Sequence, residues 1–209
     1  MMTVSDYENA NLHKFFIDPP FGASSCFRCP QITGLPLVKF QPHLYKYMNR
    51  YTYIGYSKGG IVYNKLLPDR PIGISAYFTG CAMAYFELVN KGAYIAHIAL
   101  TEGEGDQRNT WNTFVLNNRT IISKYAIFRP FKAKGTISKY TQDWETVRTW
   151  VVGIINPLLE CYAYVVDKEQ HAKISIEYTY PEKHSCMELN RQADIQDFLI
   201  PPHTAGTLW

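Results

Sequence analysis

Cys81, His97 and Ser75 are the residues of this chain whose chemistry could be combined into one site. A cysteine attacks carbonyl carbon as thiolate, and with a pKa of about 8.5 it is mostly protonated at neutral pH. An imidazole within hydrogen-bond reach can take that proton and later return it to a leaving group. A third group usually fixes the tautomer of the imidazole, and the hydroxyl of Ser75 is a candidate for that role. Gly80, immediately before Cys81, removes a side chain where a substrate carbonyl would approach. It also permits backbone angles that aim N–H groups at a developing oxyanion.

These residues lie in Ile74–Leu100, a strand-like run that must double back if Cys81 and His97 are to meet. Glu87–Gly92 offers the reversal. A hairpin pivoting on Val89 would oppose Cys81 and His97 directly, with Cβ atoms about 4.5–5.5 Å apart. A pivot between Asn90 and Lys91 would put them on opposite faces. Ser75 stands six positions before Cys81. Straight strand of that length spans roughly 20 Å, so Ser75 reaches the site only if the chain bends near Thr79–Gly80.

The remaining segments supply the frame. Met1–Pro30 is polar and then Pro/Gly/Ser-rich, an arm with little regular structure, ahead of a single domain over residues 31–209. Tyr51–Tyr56 and Ile61–Leu66 alternate at period two around a Gly-Gly turn and are expected to form a hairpin. Their interleaved basic and tyrosine residues are explained by half-buried strands without a nucleic-acid platform. Thr101–Thr110 reads as a polar loop beside any site at His97. Trp111–Leu116 and Thr120–Phe128 read as strands. Gln142–Ile155 is expected to be a helix, with Thr141 as cap and Val147, Trp150, Val151 and Ile154 at helical spacing. Tyr162–Val166 and Ala172–Tyr180 form a second expected hairpin. Ser185–Glu188 matches a capping box before a short helix that ends by Pro201.

Composition sets broad limits. The 209 residues are 46% hydrophobic and 19% charged, enough apolar material for a sizeable core and too apolar for disorder. Sixteen tyrosines and eleven phenylalanines favour strands. A net charge of +3 makes no case for nucleic acid. No apolar run is long enough to span a membrane, and the N-terminus lacks the apolar core of a secretory signal. Five cysteines, an odd count without framework spacing, fit a reducing compartment. Cys26 and Cys29 have no second CxxC to complete a zinc site and read as loop thiols. His184 and Cys186 are badly spaced for a nucleophile and its base, and Cys161 lies in an apolar run without a nearby histidine. From spacing alone, Cys81 and His97 also read as packed core residues.

Thr79-Gly80-Cys81, followed by Gly92-Ala93-Tyr94-Ile95-Ala96-His97-Ile98-Ala99-Leu100, resembles the cysteine–histidine glutamine deamidases. That superfamily includes the cytotoxic necrotizing factor catalytic domain, the Burkholderia lethal factor and the chemotaxis receptor deamidases. Its members place a small residue, glycine and cysteine a little over a dozen residues before the histidine. In several of them a threonine six residues before the cysteine completes the site. Ser75 keeps that hydroxyl, and Thr79 stands where the toxins usually have serine.

The resemblance implies an α+β fold, a β-sandwich core with surrounding helices, and a catalytic domain acting on a glutamine of a target protein such as a GTPase or translation factor. It assigns Cys81 as nucleophile, His97 as base and acid, Ser75 as the group orienting His97, and the Cys81 backbone N–H to the oxyanion. It requires neither metal nor organic cofactor, and no nucleic-acid or membrane partner. A toxin or effector of this kind would be made in a bacterial cytoplasm without a Sec signal and delivered to a target-cell cytosol. The alternatives are a chemotaxis-type receptor deamidase, protease or transglutaminase chemistry on the same pair, and a non-enzymatic β-rich interaction module.

Overall fold

The computed structural model describes residues 51–56, 59–76, 78, 80–100, 106–130, 149–167, 174–179 and 194–202. The expected N-terminal arm, Cys26, Cys29, Thr79, the capping box at Ser185–Glu188, His184 and Cys186 lie outside them.

Nine strands are described: β1 (Tyr51–Ile54), β2 (Ile61–Lys65), β3 (Ile72–Ala76), β4 (Ala82–Leu88), β5 (Gly92–Ile98), β6 (Ile122–Phe128), β7 (Thr149–Ile155), β8 (Cys161–Asp167) and β9 (Ile174–Thr179). They form two sheets, a five-stranded one in the order β1-β3-β7-β8-β9 and a four-stranded one in the order β2-β5-β4-β6. Every pairing is antiparallel except β1 with β3, which is parallel. One α-helix, α1 (Arg108–Asn117), and a short 3-10 helix, Asp194–Phe198, complete the described α+β architecture. Among the described residues no helix is long and apolar enough to cross a membrane.

The four-stranded sheet is covered on both faces, which follows from the alternation of side chains along a strand. Ala82, Ala84, Phe86 and Leu88 point to one side with Tyr94, Ala96 and Ile98, and meet Trp111, Phe114, Val115 and Phe198. The small side chains of Ala82, Ala84 and Ala96 let α1 come close. Phe86 then sits among aromatic rings, 5.7 Å from Trp111 and 5.4 Å from Phe114 between centroids. Cys81, Met83, Tyr85 and Ile95 point the other way, into a cluster with Phe78, Val151 and Ile155 from the β3–β7 side. Two glycines of the five-stranded sheet make that approach possible. A Cβ on Gly73 would lie 2.3 Å from Ile95 Cδ1, and one on Gly153 would lie 2.8 Å from Met83 Sδ.

Four expectations are corrected. Trp111–Leu116 is helical, not a strand: Trp111, Phe114 and Val115 are buried while Thr113 and Leu116 are exposed, a period of 3.6 that the short apolar run disguised. Arg108–Thr110, expected as loop, is the first turn of that helix, and the Arg108 N–H donates to Asp106 Oδ1 at 2.9 Å.

Thr149–Ile155, the end of the expected helix, is strand β7. Val151 and Ile155 face the other sheet while Val152 and Ile154 are buried on the opposite face. A strand apolar on both faces loses the period-two signature and can imitate a helical stripe.

Tyr51–Tyr56 and Ile61–Leu66 contain strands as expected, but they are not a hairpin. β1 pairs with β3 and β2 with β5, in different sheets. A local turn signal says that the chain reverses; which edges it then joins is decided by distant partners. The expected hairpin after Tyr162 is present, as β8 pairs with β9.

Candidate functional site

The β4–β5 register decides where Cys81 and His97 fall. Leu88 pairs with Gly92 and Met83 with His97, so the hairpin pivots on Asn90, neither of the two expected pivots. Lys91 N–H donates to Leu88 O at 2.9 Å, and Asn90, at φ 62°, takes the positive-φ third position of that turn. Asparagine is among the side chains that tolerate this conformation best. Cys81 consequently lies two positions beyond Met83, on the face that His97 shares, diagonal to the imidazole instead of opposite it. Diagonal neighbours are about 7–8 Å apart at the backbone, a span that side chains can shorten.

Ser75 arrives from the other sheet. β3 ends at Ala76 in the five-stranded sheet and β4 begins at Ala82 in the four-stranded one, so the chain crosses between sheets around Gly80. Ser75 is paired with Gly153, whose missing side chain leaves the serine facing inward at close sheet separation. Its Oγ lies 2.8 Å from Nδ1 of His97 and donates to the Ile54 carbonyl, also at 2.8 Å.

The direction of these bonds fixes the imidazole. A carbonyl oxygen only accepts, so the single Ser75 hydroxyl proton goes to Ile54 O. Ser75 Oγ must then accept from Nδ1–H of His97. Burial pushes the His97 pKa down to about 3, so the ring is neutral and Nε2 carries a lone pair. That nitrogen is buried and has no hydrogen-bond partner. A neutral imidazole held in the Nδ1–H tautomer with an unengaged Nε2 is the state required of a general base.

Aromatic rings hold His97 in place. Phe78 stacks on it at 4.2 Å with the planes 6° apart, and Tyr56 tilts against it at 5.4 Å. Ser75, His97 and Cys81 are 0%, 1% and 2% exposed, whereas Tyr56 is 36% exposed and stands at the solvent boundary. At Gly80 the nearest described atom to an added Cβ, its chain neighbours aside, would be Leu100 O at 3.9 Å.

The structure therefore brings Ser75 and His97 into contact and puts Cys81 on the same face and in the same buried cluster. Cys161, the other described cysteine, is half-buried at the start of β8 in the five-stranded sheet. Among the described residues no group of three His, Cys, Asp or Glu side chains could hold a metal ion. Sequence reasoning missed Tyr56, Phe78 and the Ile54 carbonyl. Each is an ordinary strand or strand-end residue, and only the pairing of β1 with β3 brings Ile54 beside Ser75. The chain matches no protein-family model, curated protein or solved structure.

Proposed function

We propose that this protein is a cysteine-dependent protein-glutamine deamidase, a bacterial toxin or effector that converts a glutamine of a target protein to glutamate. The observation that carries the reading is the Ser75–His97 hydrogen bond, which leaves Nε2 as an unengaged base on the face shared with Cys81. The resemblance around Thr79-Gly80-Cys81 and His97 asks for a hydroxyl in that role at that offset. In the deamidase-like fold it implies, a β-sandwich with helices carries the site.

The chemistry runs as follows. His97 Nε2 takes the Cys81 thiol proton as sulfur attacks the glutamine carboxamide carbon. The oxyanion that forms is met by the Cys81 backbone N–H, and Gly80 adds no side chain beside it. Nε2–H then protonates the departing nitrogen, ammonia leaves, and a thioester remains. Water attacks the thioester, its proton passing to Nε2, and sulfur departs to recover the Cys81 thiol and release glutamate. Because burial disfavours a charged imidazole, proton transfer accompanies attack and no stable thiolate–imidazolium pair precedes it.

The test is peptide mapping of target-cell proteins incubated with the full chain, seeking a gain of about one dalton at a single glutamine with ammonia released. Cys81→Ala is the control and should abolish the change while leaving the fold intact. Turnover by a folded Cys81→Ala protein overturns the reading.

The burial of Cys81 and His97 favours a second reading, a β-rich interaction module in which both are packed core residues. Thiol labelling separates the two. An activated Cys81 labels faster than the other four cysteines and loses that advantage in His97→Ala; equal labelling favours the module.

A further inference from the structure

To take a proton from sulfur, the imidazole of His97 must carry positive charge in the transition state. Burial makes that form the disfavoured one. In a Ser-His-Asp site a carboxylate at Nδ1 meets the charge. Here Nδ1–H meets the neutral oxygen of Ser75. The described carboxylates that make contacts make them elsewhere: Glu87 with Tyr85 and Lys124, Asp106 with Arg108, Asp69 with Arg70.

What does lie against the imidazole is Phe78. The ring centroids are 4.2 Å apart and the planes differ by 6°, so one face rests flat on the other. The Phe78 backbone N–H donates to Val151 O at 3.4 Å, and its Cε2 would be 3.1 Å from a Cβ on Gly153. The glycine therefore leaves the space in which the edge of the Phe78 ring sits. An aromatic face carries the negative part of the ring quadrupole and attracts a cation within about 6 Å, most strongly where water is excluded. Both rings are fully buried.

We infer that Phe78 is a positioning residue of this site whose aromatic face stabilises the imidazolium of His97 as Nε2 takes the Cys81 proton. The inference deepens the deamidase reading and rests on it for its biological meaning. The sulfur proton goes to Nε2, the sulfur pair goes to the carbon attacked, and the Phe78 ring gains neither proton nor electron. Tyr56 also leans on the imidazole, but at 5.4 Å with the planes 51° apart it lays no face over the ring. Among the described residues, the other titratable groups here are Cys81 and Tyr85, and the Tyr85 hydroxyl donates to Glu87. Ile54, Val62, Ser75 and Val151, from the four neighbouring strands, carry no charge. Arg129 follows Phe128 of the same cluster and stays protonated at every pH used, so it acts equally throughout.

Graded fluorination drains the face of the ring while nearly keeping its shape. The full chain is made with phenylalanine, 4-fluorophenylalanine or 3,4,5-trifluorophenylalanine at position 78, and as Phe78→Leu, which has no face. Iodoacetamide alkylation, mapped by peptide to Cys81, is followed from about pH 7 to above the thiol pKa of about 8.5. Near neutrality attack requires His97 to take the proton; at the alkaline plateau sulfur is already ionised and the imidazole stays neutral. The neutral rate should fall in steps with fluorine number, roughly tenfold for the trifluoro ring, while the plateau stays put. Phe78→Leu should lose at least as much of the neutral rate; if it does not fold, the fluorinated series decides. In His97→Ala the series should collapse to one rate. A neutral rate indifferent to fluorine overturns the inference, as does a plateau that falls in parallel or a fluorine effect that survives His97→Ala. Failure of Cys81 to react at any pH overturns it together with the deamidase reading. Fluorine-dependent alkylation while no protein substrate releases ammonia upholds the role of Phe78 and removes the deamidase reading.

Discussion

Ser75 and His97 are 22 positions apart and belong to different sheets, yet Ser75 Oγ lies 2.8 Å from Nδ1 of His97. The contact makes the serine the only described acceptor on that nitrogen, and the Ile54 carbonyl settles which way the protons point. Ser75→Ala removes the acceptor of the buried His97 Nδ1–H and takes one donor from the Ile54 carbonyl. Stability should fall by about 1–3 kcal/mol in denaturant unfolding. Nitrogen NMR of the imidazole should show the loss of a single Nδ1–H tautomer, and turnover should slow without a change of pathway. An unaltered tautomer in Ser75→Ala would show that something else holds the ring.

The neutrality of His97 has a consequence for stability against pH. In the unfolded chain its pKa is about 6.5, and in the folded protein burial lowers it to about 3. Below pH 6.5 the unfolded state binds a proton that the native state refuses. This group therefore destabilises the fold as pH falls from about 6.5 toward 3, at up to about 1.4 kcal/mol per pH unit, and contributes no slope above that window. Carboxylates add their own slope, so the measurement is a comparison. Between pH 7 and 5, wild type should lose more unfolding free energy than His97→Phe. Equal losses would mean that the imidazole is not buried neutral.

The site was partly legible because its residues sit close together in the chain. Thr79-Gly80-Cys81 and His97 announced a thiol and a base, and Ser75 stood at the offset where the resemblance wants a hydroxyl. What the sequence left open was register. Glu87–Gly92 permits several pivots, and the chain takes the one on Asn90, whose φ is positive. The frame was harder to read where burial is two-sided. Val152 and Ile154 are as buried as Val151 and Ile155, so β7 carries no alternation to distinguish strand from helix. Trp111–Leu116 failed for the opposite reason, since a short aromatic run suits either structure. Tyr56 and Phe78 were invisible as site residues because long-range sheet packing, not local pattern, brings them to His97.

The spacing between the two sheets is set by Gly73 and Gly153, and the site depends on it. A methyl group on Gly73 would lie 2.3 Å from Ile95 Cδ1 and 3.2 Å from Ile95 Cβ. Gly73→Ala should therefore force β3 away from β5, costing about 1–3 kcal/mol as an overpacked core does. Because Ser75 is two residues along the same strand, the Ser75–His97 bond should lengthen and turnover should drop with stability. Ile95→Val removes Cδ1, the worst clash. Combined with Gly73→Ala it should recover much of both losses, a coupling readable in a double-mutant cycle. Additive effects would mean that Gly73 acts through its own backbone instead of through Ile95.

Asn90 is where sequence, turn and site meet most directly. Its φ of 62° completes the turn that pairs Leu88 with Gly92, and that pairing sends Cys81 and His97 to the same face. Asn90→Gly supplies the same conformation at no steric cost, so stability should remain within about half a kcal/mol of wild type. Asn90→Ile places a β-branched side chain in the left-handed region and should cost about 1–2 kcal/mol. The seven paired positions from Ala82 to Leu88 bury a side chain on each face and hold the register once formed. The cost should therefore appear in unfolding free energy, while Cys81 keeps the wild-type alkylation rate in the folded protein. If Asn90→Ile instead exposed Cys81 to rapid alkylation without unfolding the chain, the turn alone would be choosing the face on which the thiol lies.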